Sequence, residues 1–142
     1  MTPRSYLDGR VTVTTLPACD PAEASQPPLK RLLLEKGELA HIHNADAPIM
    51  MIAYTELRTG KPRGNHVHRR KHEWMYLIRG ACRLIVEDPD TGTRDEIRIR
   101  EGDLISIAVG IAHVIDPLED GHAIEFSPSR FDATDTFPHP LL

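Results

Sequence analysis

Short runs of alternating apolar and polar residues recur along the chain and predict many short strands. Residues 11–15 alternate strictly, as expected for a strand, because successive side chains of a strand point to opposite faces. Further strands are predicted over residues 30–34, 38–43, 48–57, 73–78, 81–87, 95–100, 104–107, 112–115 and 123–127. No helical period continues for several turns, so the pattern predicts an all-β sandwich or barrel.

Glycine and proline separate these runs and mark the connections between the strands. Residues 88–94 predict a hairpin loop, whereas the proline-rich residues 16–29 predict an irregular connection. The tail, residues 129–142, is expected to be partly irregular. A chain of 142 residues has the size of one domain and can bury one substantial core.

Composition and charge exclude several classes of partner. A net charge of −4 and a pI near 6.0 give no support for nucleic-acid binding, and Arg69-Arg70-Lys71 is too short for a polybasic patch. No apolar stretch approaches the span of a bilayer, so no membrane contact is expected. The first six residues lack the hydrophobic segment of a signal peptide, which predicts the cytoplasm, with Cys19 and Cys82 as free thiols.

Four residues occur at the spacing of one metal site. His66 and His68 are two apart, so a strand presents both imidazoles on one face. After a turn over residues 69–72, the chain returns as a strand that begins at Glu73. An antiparallel hairpin would place Glu73 opposite the histidine pair, and His113 would join them from a distant strand.

These donors predict a divalent transition metal ion. Three neutral imidazole nitrogens and one carboxylate oxygen suit zinc, iron, manganese, nickel or copper, with open positions for a ligand or water. His72 is an alternative ligand to Glu73 through a shorter turn. Glu73, however, is the residue with six positions between it and Gly80.

The spacing resembles the double signature of the cupin family. Its two parts read Gly60-x5-His66-x-His68-x4-Glu73-x6-Gly80 and Gly102-x5-Ala108-x-Gly110-x2-His113. Ala108 stands where the family usually has proline, and Pro117 where it usually has asparagine. The resemblance implies a single cupin domain over residues 1–142 with a metal-site core at 60–117. Its fold would be a double-stranded β-helix, a jelly-roll barrel of two antiparallel sheets, with the metal at the centre and a pocket open at one end.

A narrower resemblance concerns nucleotide-sugar ketoisomerases and epimerases of the dTDP-4-dehydrorhamnose epimerase group. It rests on residues 37–39, 47–49, Tyr54, 63–68 and 131–137. In that group the segment matching 63–68 lines the sugar pocket, with a histidine as base and an arginine near the substrate. Many of those enzymes work without a metal, whereas this chain keeps the full ligand set, so a metal-bearing cupin of capsular nucleotide-sugar pathways is a closer type. The family resemblance also implies a homodimer.

The chemistry of such an isomerase suggests further site residues. Moving a proton next to a ketone needs a base near neutral pKa and a group that stabilises the enolate oxygen, a task that the ion could perform. The candidate bases are His41, His43, His72 and Tyr54. His41 and His43 share one strand face with Leu39, so either both enter the pocket or neither does.

Two further residues are expected to contact the substrate. Arg63 directly precedes the histidine pair, which keeps it close to the pocket. Met75 shares a strand face with Glu73, whereas Trp74 and Tyr76 point the other way and favour sheet packing or a dimer contact.

Three classes of function are consistent with the sequence. The first is a sugar isomerase or epimerase that uses the metal as a Lewis acid. The second is a metal-dependent dioxygenase, lyase or cyclase, because three histidines and a glutamate also suit oxygen chemistry. The third is a small-molecule binding module without turnover. Bound iron together with oxygen consumption would favour the second class. Bound zinc together with deuterium exchange into a keto-sugar would favour the first.

Overall fold

The computed structural model describes residues 2–142, so Met1, the first residue of the expected domain, lies outside the described part. This part of the chain forms short strands and one 3-10 turn, Ala133–Asp135, but no α-helix. The strands are β1 (Arg4–Tyr6), β2 (Val11–Thr15), β3 (Ala18–Cys19), β4 (Lys30–Leu34), β5 (Gly37–His41), β6 (Met51–Leu57), β7 (Arg63–Val67), β8 (Glu73–Arg79), β9 (Ala81–Glu87), β10 (Arg94–Arg100), β11 (Asp103–Ile107), β12 (Ala112–Pro117), β13 (Gly121–Ser127) and β14 (Phe137–Pro138). Residues 2–142 therefore contain no helix that could span a membrane.

Two antiparallel sheets build the fold. One has six strands in the order β1-β2-β11-β8-β13-β6, and the other has five in the order β10-β9-β12-β7-β14. This arrangement confirms the predicted all-β jelly roll. A third, small sheet of β3, β4 and β5 was not predicted, and it contains a parallel pair, β3 with β4. Tyr76 on the outer face of the six-stranded sheet contacts this small sheet through Glu38 of β5.

The core lies between the two large sheets. Strand alternation turns Val11 and Val13 of β2, Leu77 of β8 and Ile105 of β11 inward, and all four are almost fully buried. Burying one such side chain stabilises the fold by about 1.5 to 3 kcal/mol. Met75 belongs to this core and also lines a cavity, so the apolar core ends where that cavity begins.

The predicted hairpin between the histidine strand and the Glu73 strand is wrong. β7 pairs with β12 and β14 in the five-stranded sheet, whereas β8 pairs with β11 and β13 in the six-stranded sheet. Five residues of extended chain reach about 16 Å, which is enough to cross the roughly 10 Å between packed sheets. Glu73 therefore faces the histidines from the opposite sheet.

A buried carboxylate ties the start of β11 to its neighbours. Asp103 Oδ1 accepts a hydrogen bond from Thr15 Oγ1 at 2.6 Å, and Oδ2 accepts one from the Arg100 N–H at 2.9 Å. Arg4 completes an ion pair at 3.3 Å, but its side chain is 45% exposed. Asp103 itself is completely buried.

We expect Asp103→Ala to lower the free energy of unfolding by about 2 to 3 kcal/mol, because it leaves a hydroxyl and an N–H without their acceptor. Arg4→Ala should cost less than about 1 kcal/mol, since water screens the exposed partner. Urea unfolding of both variants checks this difference. Equal losses would show that the exposed ion pair, rather than the buried hydrogen bonds, carries the stabilisation.

Candidate metal centre and pocket

Three histidines converge at one end of the space between the sheets. His66 lies on β7 opposite His113 of β12, and His68 follows directly after β7. The Nε2 atoms of His66 and His113 are 3.2 Å apart, and one ring nitrogen from each of the three histidines lies within 4.8 Å of the others. The structure thus brings together the three imidazoles that the sequence spacing selected.

An irregularity in β7 allows this approach. The register of β7 against β12 shifts after His113, so that Val114 pairs with Gly64 and Asn65 is the extra residue, with a φ of +56°. A Cβ atom on Gly64 would lie 2.7 Å from the His113 carbonyl oxygen. Glycine at position 64 therefore lets the two histidine strands lie close together, a feature that the sequence analysis missed.

Glu73 supplies the fourth candidate donor from the opposite sheet. Its Oε2 lies 3.0 Å from His113 Nε2 and 3.8 Å from His68 Nε2. Although the first distance is short, Oε2 has no aligned hydrogen-bond donor anywhere in residues 2–142, and it is buried. A buried carboxylate oxygen without a hydrogen bond is costly, and a bound cation would satisfy it.

The hydrogen bonds behind the rings point the histidine lone pairs towards Glu73. His68 Nδ1 donates to the Asp135 carbonyl at 2.7 Å, and His113 Nδ1 donates to the Ile111 carbonyl at 3.2 Å. Because a carbonyl oxygen only accepts, Nδ1 carries the proton and Nε2 of the neutral ring keeps its lone pair. Such supporting contacts are typical of histidines that bind a metal.

Burial and neighbouring charge set the protonation of the cluster. Burial and the two neighbouring imidazoles lower the pKa of His66 to about 4, so this ring is neutral at pH 7. Burial acts to lower the pKa of His113 too, but the Glu73 carboxylate outweighs it and raises that pKa. A cation between Glu73 and His113 would compete with this proton.

The donor atoms fit a divalent transition ion. Two donors that each lie about 2.1 Å from one ion are roughly 3.0 to 3.4 Å apart in octahedral or tetrahedral geometry. The separations of 3.0 Å and 3.2 Å around His113 Nε2 fall in this range, whereas the 3.8 Å between His68 Nε2 and Glu73 Oε2 is longer. Glu73, with its unpaired oxygen, completes a set of three nitrogens and one oxygen that suits zinc, iron, manganese, nickel or copper.

The cluster opens into a cavity of about 320 Å³. Arg63 and Met75, the two residues expected to contact a substrate, both line it, and Arg63 donates a hydrogen bond to the Glu56 carbonyl at 3.0 Å. A second cavity of about 270 Å³ adjoins it and shares four of its lining residues, His68, Lys71, Phe131 and Thr136. Together the two cavities give room for a ligand larger than one small ring.

A charged pair that was not predicted from the sequence lies in this cavity. Lys71 Nζ lies 2.7 Å from Glu125 Oε1 and 3.6 Å from Glu73 Oε1. Burial and the Glu73 carboxylate raise the pKa of Glu125 to about 7. Burial opposes protonation of Lys71, but the two carboxylates outweigh it and raise its pKa. The sequence pattern that could have revealed Glu125 is strand alternation, because Glu125 shares the inward face of β13 with Ala123 and Ser127.

Two of the four candidate bases lie on the outer face of the six-stranded sheet, which corrects the expectation that they enter the pocket. The Tyr54 hydroxyl hydrogen-bonds to His122 Nδ1 at 3.0 Å, and the residue is 63% exposed. Its neighbours Ala53 and Thr55 line the cavity, so strand alternation turns Tyr54 away. His72 Nε2 bonds to Ser106 Oγ at 2.8 Å, pointing away from Glu73, which also corrects the idea of His72 as a ligand.

The other two candidate bases, His41 and His43, are likewise outside the pocket. His41 ends β5, and His43 packs its ring against Trp74 and Phe126. Both line a groove along residues 40–44 that is separate from the metal cluster. β5, which ends at His41, belongs to the small sheet, outside the two layers that enclose the pocket.

Comparison with known proteins finds similarity in structure alone. No protein-family model matches the chain, and no curated protein sequence matches it. A 3,4-ketoisomerase from Helicobacter canadensis is similar, with a TM-score of 0.67 and 15% identity over 78% of this chain and 86% of that chain. At this level of identity the likeness concerns the fold.

Two epimerases are similar over more of this chain. A 3'-monoepimerase from Streptomyces bikiniensis, solved in complex with dTDP-quinovose, has a TM-score of 0.74 and 12% identity over 94% of this chain and 71% of that chain. A dTDP-4-dehydrorhamnose 3,5-epimerase from Sulfolobus tokodaii has a TM-score of 0.73 and 16% identity over 96% of this chain and 81% of that chain. These structures share the jelly-roll fold described above.

Proposed function

We propose that this chain is a metal-binding cupin that isomerises or epimerises a sugar carried on a nucleotide. The observation that carries the proposal is the convergence of His66, His68, His113 and Glu73 inside a cavity that also holds the Lys71–Glu125 pair. The activities named for the structural neighbours agree with this class of reaction.

The four clustered residues would hold one divalent ion. When bound, the ion supplies a Lewis acid that polarises a carbonyl oxygen, which is the requirement for removing a proton from the adjacent carbon. His68 and His113 are oriented for this task by their Nδ1 hydrogen bonds to carbonyl oxygens.

Glu125 is the carboxylate of the pocket that is left for proton transfer once Glu73 is assigned to the ion. Its Oε1 accepts a hydrogen bond from Lys71, so Oε2 is the atom that takes a proton from the substrate carbon and returns it. Lys71 holds this carboxylate in place. Met75 forms an apolar wall, and the Arg63 guanidinium attracts the negative charge of a diphosphate.

Deuterium exchange tests the proposed reaction. Metal-loaded and metal-stripped protein are incubated in D₂O with a nucleotide-linked 4-keto sugar, and the carbon-bound protons are followed by NMR. We expect exchange next to the ketone with loaded protein only. Oxygen consumption by iron-loaded protein without any exchange would instead support the oxygenase alternative, which the same donor set suits.

Glu125→Gln should lower the exchange rate by about 10²- to 10⁴-fold, the usual contribution of a positioned acid or base. Its metal content should be unchanged, because Glu125 is not among the four donors. Glu56→Gln is the matched control, since this exposed carboxylate lies outside the cavity. An exchange rate in Glu125→Gln equal to that of the control would remove Glu125 from the reaction.

A further inference from the structure

Asp135 in the C-terminal segment contacts the loop that joins the candidate ligands. The residue is only 4% exposed although it belongs to a short 3-10 turn near the end of the chain. Oδ1 accepts a hydrogen bond from the Arg69 N–H at 2.9 Å, and Oδ2 accepts one from the Arg70 N–H at 3.1 Å. Both N–H groups belong to the five-residue path from His68 to Glu73, so the carboxylate fixes that path.

The main chain of the same residue contacts a ligand directly. The Asp135 carbonyl accepts the Nδ1 proton of His68 at 2.7 Å. This bond sets both the rotation of the imidazole and its tautomer, and it turns Nε2 towards Glu73. One residue thus holds the first ligand of the loop through its carbonyl and the loop itself through its carboxylate.

The rest of the C-terminal segment is attached independently. β14 pairs with β7 through Phe137 and Pro138, and Asn65 Oδ1 accepts hydrogen bonds from the N–H groups of Leu141 and Leu142 at 2.9 Å and 3.1 Å. Leu141 is buried in an apolar cluster. Loss of the Asp135 carboxylate would therefore free the ligand loop without detaching the segment.

We propose that Asp135 is the positioning residue of the metal centre, holding His68 and the loop to Glu73 in the geometry that binds the ion. The inference rests on the metal binding of the proposed function. Asp135 lies 66 and 65 positions beyond the two loop residues whose N–H groups it binds, and it organises the loop before an ion binds. A carboxylate bonded to two consecutive N–H groups is suited to this task, because it restrains the loop at two points.

The test compares Asp135→Ala with Asp132→Ala in the full, untagged chain. Asp132 caps the same 3-10 turn through Thr134 and pairs with Arg70, but it does not contact His68. Zn²⁺ affinity is measured by competition with a chromophoric chelator, and Co²⁺ absorption reports the ligand geometry.

We expect about 10- to 100-fold weaker binding and a changed Co²⁺ spectrum for Asp135→Ala. Asp132→Ala should match the wild type, and Asp135→Asn, which keeps an acceptor oxygen, should recover most of the affinity.

Wild-type affinity and an unchanged Co²⁺ spectrum in Asp135→Ala would overturn the inference alone. Absence of metal binding in the wild type would overturn the proposed function together with it. Should Asp135→Ala fail to fold, NMR of zinc-loaded wild-type protein decides. A proton on His68 Nδ1 supports the assignment, and a proton on Nε2 overturns it.

Discussion

Alanine in place of His113 should remove most of the rise in melting temperature that Zn²⁺ is expected to give the wild-type protein. His113 Nε2 lies 3.2 Å from His66 Nε2 and 3.0 Å from Glu73 Oε2, so its removal takes away the central donor of the proposed metal site. An ion at 100 times its Kd stabilises a protein by about 2.7 kcal/mol. A hundredfold loss of affinity reduces this to about 0.4 kcal/mol.

Thermal unfolding with and without Zn²⁺ measures this effect within each variant, so any cost of the substitution to the metal-free fold cancels. His122→Ala is the control, because His122 bonds to Tyr54 on the outer face of the sheet. The control should keep the full zinc response. A full response in His113→Ala would exclude His113 from the site.

Gly121→Ala should destabilise the fold by about 3 kcal/mol or more, the upper range for overpacking. A Cβ atom at this position would overlap the Arg79 carbonyl oxygen and would lie 3.0 Å from the Gly80 Cα. These are backbone atoms at the irregular start of the β8–β13 pairing, where the register shifts after His122. No side chain can move aside to relieve the contact, so the two strands must separate.

Gly92→Ala is the matched control for this substitution. Gly92 has a φ of +73°, but a Cβ atom there would meet nothing within 4 Å. Its replacement should cost only the left-handed strain of about 1 to 2 kcal/mol. Urea unfolding of the two variants compares a backbone clash with simple strain. A smaller loss in Gly121→Ala than in Gly92→Ala would contradict the close packing of β8 against β13.

Local patterns in the sequence predicted most strands and the composition of the histidine cluster. The strands predicted at Val11–Thr15 and Lys30–Leu34 have the bounds that the structure shows, and alternation placed Met75 beside Glu73 on the inward face. These features depend on neighbours within a few residues. Other strands have different bounds, and β6 begins at Met51 rather than at residue 48. Its antiparallel partner β13 ends at Ser127, which pairs with Met51, so the pairing stops there.

Features that depend on distant contacts were wrong or missed. Hairpin pairing of β7 with β8 was expected from the short turn, but the barrel places the two strands in opposite sheets. The predicted base Tyr54 faces outward because the sheet turns its neighbours Ala53 and Thr55 towards the cavity. The contact between Asp135 and the ligand loop joins segments more than 60 residues apart, which no local pattern reveals.

The metal content of untagged protein, purified without chelator, tests the central claim most directly. Elemental mass spectrometry of the wild type is compared with Glu73→Ala, which lacks the buried oxygen that has no hydrogen bond. About one equivalent of zinc, iron, manganese, nickel or copper per chain is expected in the wild type, and little in the variant. No metal in the wild type, or equal metal in both proteins, would contradict a site formed by His66, His68, Glu73 and His113.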